Sequence, residues 1–126
     1  MEPPIVELKT PWPLVNVEEK DGELVVSFHP EAFLWPSVEE MAMNLFSLVD
    51  ETDGGHFVLD FGNVDYVTGV GVEKLVILNK RLRSNGSRLI IQNVSAHLAK
   101  IFALCDLAKE FDIKTIEAQR LVGRLS

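Results

Sequence analysis

Two short runs, His56 to Phe61 and Arg88 to Gln92, flank one amphipathic stretch, and this arrangement limits the possible folds more than any other feature of the chain. Each run is a few residues long and mostly apolar, the pattern of a strand buried on both faces. Between them, Val72, Leu75, Val76, Leu78, Asn79 and Leu82 recur at helical spacing over residues 72–83, while Glu73, Lys74, Lys80, Arg81 and Arg83 occupy the other side. Asn85-Gly86 stops that helix. A buried strand, a helix and a second buried strand predict a parallel pair joined by a right-handed crossover.

The flanking sequence extends the pattern. Leu14 to Glu19 and Glu23 to Phe28 are strand-like runs around Lys20-Asp21-Gly22, and an Asp-Gly pair is a strong hairpin signal. Ser37 stands three residues before Glu40, the spacing of a capping box. Val38, Met41, Ala42, Leu45, Phe46 and Val49 then predict a helix over residues 38–50 that ends before Asp53-Gly54-Gly55. After Arg88 to Gln92, Ser95 is placed to cap a helix whose apolar side is Leu98, Ile101, Phe102 and Cys105. Phe111 to Ile116 is a last strand candidate, followed by a short helix from Glu117 to Leu125. The expected fold is an α/β sandwich: a mostly parallel central sheet with an N-terminal antiparallel hairpin and about four helices. Residues 1–13 carry Pro3, Pro4, Pro11 and Pro13 and cannot join a central strand, so they read as an arm preceding a domain over 14–126. That arm fits an edge cover, a homodimer contact or a tail equally well.

With 126 residues and 47% hydrophobic composition, one continuous core is expected. The 19 acidic residues outnumber the 12 basic ones, and the resulting net charge of -7 repels a polyanion, so nucleic acid is not an expected partner. One cysteine, Cys105, cannot close an internal disulfide, and no leader-like segment precedes the first strand, so a reducing cytoplasm is expected. No apolar run approaches the roughly 18 to 20 residues of a membrane span. His29, His56 and His97 lack ligand spacing, and neither a metal nor any other cofactor is expected.

Residues 57–95 carry a family resemblance. Phe57-Val58-Leu59-Asp60-Phe61-Gly62-Asn63-Val64-Asp65-Tyr66-Val67, then Thr68-Gly69-Val70-Gly71-Val72, then a helix with Leu75, Lys80 and Leu82, resembles the STAS family, the domain shared by anti-sigma factor antagonists, stressosome proteins and the cytoplasmic tails of sulfate transporters. Gly86, Leu89 to Val94 and Ser95 continue the likeness, which spans about residues 14–116. The resemblance implies a regulatory binding module that engages an anti-sigma factor or a related regulatory protein. It assigns the contact to Thr68, Gly69, Val70, Gly71, Val72, Glu73 and Lys74. In the ungapped register Thr68 takes the family's Asp position, Gly69 the first Ser, Val70 the phosphorylated Ser and Gly71 the following Gly. Valine accepts no phosphate, so the usual serine phosphoswitch is expected to be absent. A shift by two would make Thr68 the phosphoacceptor, but it throws the helix out of step.

The remaining motifs have a structural reading beside the functional one. Gly69 and Gly71 alone do not make a dinucleotide loop, because Lys74 stands where the third glycine belongs and the Walker spacing is missing. Tight packing between loop and helix is the plainer reading, and a small nucleotide-binding protein is the rival from another class. Thr68 reads chiefly as a helix cap. Asp60 ends a buried strand with no nucleophile or base beside it in sequence, so it reads as a turn-maker, and no catalytic residue is expected. Cys105 reads as a small hydrophobe. Lys74, Lys80, Arg81, Arg83 and Arg88 fit an acidic partner groove or a solvated helix face alike. Trp12 and Trp35, in proline-flanked loops, are expected to cover the core, and if exposed they would be partner anchors. A STAS subunit of a larger assembly, a stressosome or a transporter complex, is the alternative among binding modules.

Overall fold

A computed structural model of the chain describes residues 14–50, 54–104 and 111–116. The arm at 1–13 with Trp12, Cys105 and the helix expected from Glu117 lie outside them. The described elements run β1 (Val15–Lys20), β2 (Glu23–Phe28), α1 (Ser37–Asp50), β3 (Gly55–Asp60), α2 (Gly69–Ser84), β4 (Ser87–Val94), α3 (Ala96–Leu104) and β5 (Asp112–Thr115). They form one five-stranded sheet in the order β1-β2-β3-β4-β5. β1 and β2 pair antiparallel, and the three other pairings are parallel. This is the α/β fold expected from the sequence, with three helices among the described residues.

Local chemistry accounts for the elements. Asp21 (φ 52°) and Gly22 (φ 81°) both adopt the left-handed region that a two-residue hairpin turn needs, leaving Lys20 opposite Glu23. Strand alternation puts Val15 and Val17 of β1 in the core, while Asn16 and Glu18 face solvent. β3 buries Phe57, Val58 and Leu59 in succession, as a strand paired on both sides should. Ser95 caps α3, its hydroxyl accepting from the Leu98 N–H at 3.1 Å.

Two expectations are corrected. The capping box at Ser37 does not form. Ser37 lies inside the first turn, where the Val38 N–H donates to the Leu34 carbonyl (2.8 Å) and the Glu39 N–H to the Pro36 carbonyl (3.2 Å). The helical turn is therefore entered before Ser37, and no bond between the Ser37 hydroxyl and Glu40 is found. Helix α2 begins at Gly69 instead of Val72, because Thr68 caps it three residues earlier than the apolar periodicity shows.

The core is built around a row of aromatic rings. Phe28, Phe33 and Phe61 pack mutually with centroids 5.0 to 5.6 Å apart, and Phe61 leads through Phe102 (6.2 Å) to Phe111 (6.1 Å). These separations suit edge and tilted aromatic pairs. Phe33 underlies the start of α2 at Gly71, and Phe111 lies at the opening of β5. The row therefore links the two ends of the molecule at which polar groups collect.

Candidate functional site

The segment between β3 and α2 is fixed at both ends by side chains. Asp60 Oδ1 accepts from the Gly62 N–H (2.9 Å) and from Asn93 Nδ2 (2.9 Å), which ties the end of β3 to the end of β4. Asn93 is held at φ 59°, a conformation that asparagine tolerates better than most residues. The expected turn-making role of Asp60 is realised, with a cross-strand partner that the sequence did not reveal. Val64 and Val67 of the connecting segment are buried, leaving Asp65 and Tyr66 exposed.

Thr68 is the N-cap of α2. Its Oγ1 accepts from the Gly71 N–H (3.1 Å) and donates to the Phe33 carbonyl (3.3 Å), so both functions of the hydroxyl are engaged. Its carbonyl accepts from the Val72 N–H at 3.0 Å. The two glycines differ. A Cβ on Gly71 would lie 2.9 Å from Val67 Cγ1 and 3.1 Å from Phe33 Cδ1, whereas one on Gly69 would meet nothing within 4 Å. Gly71 is therefore a close-packing residue, and Gly69 leaves the first helical turn uncovered.

Of the seven residues assigned to partner contact, Thr68, Val70 and Lys74 are half-buried, Gly71 and Val72 are buried, and Gly69 and Glu73 are exposed. Lys74 is paired with Glu39 of α1 at 3.3 Å. The exposed face therefore consists of Gly69, Glu73 and the outer parts of Val70 and Lys74. Sequence reasoning missed two of their neighbours. Tyr66, two residues before the cap, is 54% exposed, and Leu34, next to Phe33, is exposed too. Trp35 is 67% exposed, which corrects the expectation that it covers the core. The backbone turns into α1 at this point, and Phe33 is the aromatic of this loop that is buried, leaving Trp35 in the anchor role stated for it if exposed. Three bulky apolar residues in succession, Phe33, Leu34 and Trp35, in a loop bounded by Pro30 and Pro36 were the available signal.

The basic residues do not form one row. Arg81 stacks on the Phe46 ring with its Cζ 4.5 Å from the centroid, and Arg88 bonds Asp112 at 2.7 Å. Lys80 and Arg83 are exposed, with no ion pair among the described residues. His56 Nδ1 lies 2.7 Å from Glu23 Oε2, His29 Nδ1 accepts from the Glu31 N–H, and His97 is exposed on α3. Among the described residues no three His, Cys, Asp or Glu side chains gather as metal ligands would. No helix among them is long and apolar enough to cross a membrane.

The family model of the STAS domain matches residues 15–119. That match takes in the sheet, the capped helix α2 and the segment from Asp60 to Gly71, and the chain belongs to the STAS domain family. Among solved structures it is similar to an anti-sigma-factor antagonist (STAS) domain protein from Planctomyces limnophilus. The TM-score is 0.73 at 16% identity, with 89% of this chain and 98% of that one covered. It is also similar to murine solute carrier 26 family member A9, an anion transporter in the inward-facing state. Here the TM-score is 0.63 at 16% identity, and the match covers 86% of this chain but 19% of the transporter. At these identities the likeness is one of fold.

Proposed function

We propose that this chain is a protein-binding regulatory module of the anti-sigma factor antagonist type, acting in the cytoplasm and contributing no catalysis of its own. Its partner is a kinase-type anti-sigma factor, held at the start of α2 so that the sigma factor is released. The observation that carries this reading is the exposure of Trp35 and Tyr66 beside the capped helix start. Each lies within two residues of the hydrogen bond joining Thr68 to Phe33. Exposed aromatics next to a rigid backbone are the usual anchors of a protein interface. The family and the fold likeness to an antagonist support the same choice of partner.

In this reading the module works without the usual switch. Val70 at the acceptor position carries no hydroxyl, and the Thr68 hydroxyl is occupied as donor and acceptor. A phosphate on Thr68 would remove the Phe33 bond and disturb the cap, so binding here is governed by the amount of partner rather than by phosphorylation. The likeness to part of an anion transporter favours, as a second reading, a STAS subunit seated permanently in a larger assembly.

The test is co-purification of the tagged chain from its host, with Trp35→Ala and Val70→Glu alongside. Recovery of an anti-sigma factor with the unaltered chain, and its loss with both variants while circular dichroism is unchanged, is expected. The anchor substitution should weaken binding by about 2 kcal/mol, some thirtyfold. A stoichiometric complex that survives both substitutions would point to the assembly reading. Recovery of no regulatory protein would reject both.

A further inference from the structure

We propose that the opposite end of α2 carries a binding site for a compact organic anion, a carboxylate or phosphate ester on an apolar body. A cleft of about 350 Å³ opens there between the last turns of α2 and the first residues of β4 and β5. Its polar lining is Asn79 and Arg83 from α2, Ser87 and Arg88 from β4, and Asp112 from β5, while Leu89 and Phe111 supply the apolar wall. That volume is at the lower end of small-molecule sites, and with five polar residues against two apolar ones the lining is more polar than theirs usually is, which suits a charged headgroup.

Ser87 is what sets the cleft apart from a surface groove. It is 7% exposed, and its hydroxyl is buried without a hydrogen-bond partner. Buried hydroxyls are nearly always paired in native proteins, and one that is not asks for an explanation. Rotation about χ1 takes a serine hydroxyl between staggered positions, and a ligand oxygen in the cleft would give it a partner. Asn79, 4% exposed, adds a buried amide to the same wall.

The charges favour an anion. Arg88 and Asp112 form a surface pair at 2.7 Å, with side chains 65% and 32% exposed, and their charges offset each other. Arg83 makes no ion pair among the described residues, so the lining carries a net single positive charge. A helix C-terminus ordinarily repels an anion, but here three of its last four carbonyls already accept hydrogen bonds. Those of Arg81 and Leu82 accept from the Asn85 N–H (3.2 and 3.0 Å), and that of Arg83 accepts from the Gly86 N–H (3.1 Å). Guanidinium groups present forked donors that match carboxylate and phosphate oxygens. Phe111 and Leu89 then suit a ring or short chain beyond the headgroup.

This site is separate from the partner surface, and its test stands apart from the co-purification above. Phenyl phosphate and benzoate are titrated into the isotope-labelled full chain, with benzyl alcohol as the uncharged control, and amide shifts are followed by NMR. Saturable shifts confined to Asn79, Ser87, Leu89 and their neighbours are expected for at least one of the two anions, with none for the alcohol. Arg83→Gln, at an exposed position, should weaken that binding about tenfold, one charge-assisted contact being worth roughly a factor of ten. Ser87→Ala should weaken it by a smaller factor with the fold retained. The proposal is overturned if neither anion gives saturable shifts up to about 10 mM. It is equally overturned if the alcohol binds as well as the anions, or if Arg83→Gln leaves the affinity unchanged.

Discussion

Two hydroxyls stand near opposite ends of helix α2, and their circumstances are opposed. Thr68 has its oxygen engaged twice, by Gly71 and Phe33, in a place so tightly packed that glycine is required three residues on. Ser87, just past the other end, is buried with nothing to bond, beside an open cleft. One helix thus joins a finished structure to an unfinished one. The finished end presents a fixed outer surface suited to recognition of a protein, where little reorganisation on binding preserves affinity. The unfinished end keeps space and one buried hydroxyl without a partner, which suits a small ligand.

Substitutions at the two ends should separate them. The largest effect is expected from Phe33→Ala, which removes a buried ring from the aromatic row and should cost about 3–5 kcal/mol in urea unfolding. Phe111→Ala, at the lip of the cleft, should cost clearly less, and equal losses would undo the contrast. Next comes Gly71→Ala, expected to cost about 1–3 kcal/mol because Val67 and Phe33 must give way. Gly69→Ala, with open space around it, should be neutral or stabilise the chain by up to about 1 kcal/mol. Thr68→Ala should lose about 1 kcal/mol of capping, while Thr68→Ser retains most of it. Ser87→Ala carries the opposite sign to Thr68→Ala: it should raise stability by about 1 kcal/mol, since it removes a buried hydroxyl that has no partner. A loss at Ser87 as large as that at Thr68 would show the two hydroxyls to be equivalent.

Much of the framework was legible because it rests on local signals. The Asp21-Gly22 turn, the apolar runs of β3 and β4, and the helical spacing from Val72 to Leu82 each follow from residues close in sequence. Asn79, grouped with the apolar side of its helix, is indeed buried. The failures come from contacts between distant segments. Ser37 looked like a cap until Leu34 and Pro36 supplied the carbonyls first. Gly69 and Gly71 looked alike as loop residues, and only the approach of Phe33, far upstream, distinguishes them. The exposed pair Trp35 and Tyr66 comes from two separate loops. The cleft could not be read at all, since Arg83, Ser87 and Asp112 belong to three elements whose meeting depends on the whole sheet.

The order of the sheet sets how its strands should differ in time. β3 is bonded along both edges, to β2 and to β4, whereas β5 has four residues, pairs only with β4 among the described residues, and does so in a ladder that is irregular between Ile91 and Val94. Amide hydrogens of β3 should therefore exchange with solvent only through global opening, and those of β5 through cheaper local excursions. The wall of the cleft that β5 supplies should then open at lower cost than the centre of the sheet. A visitor to the cleft would meet a door that opens on its own, while a protein arriving at the far end of α2 would find its surface already standing.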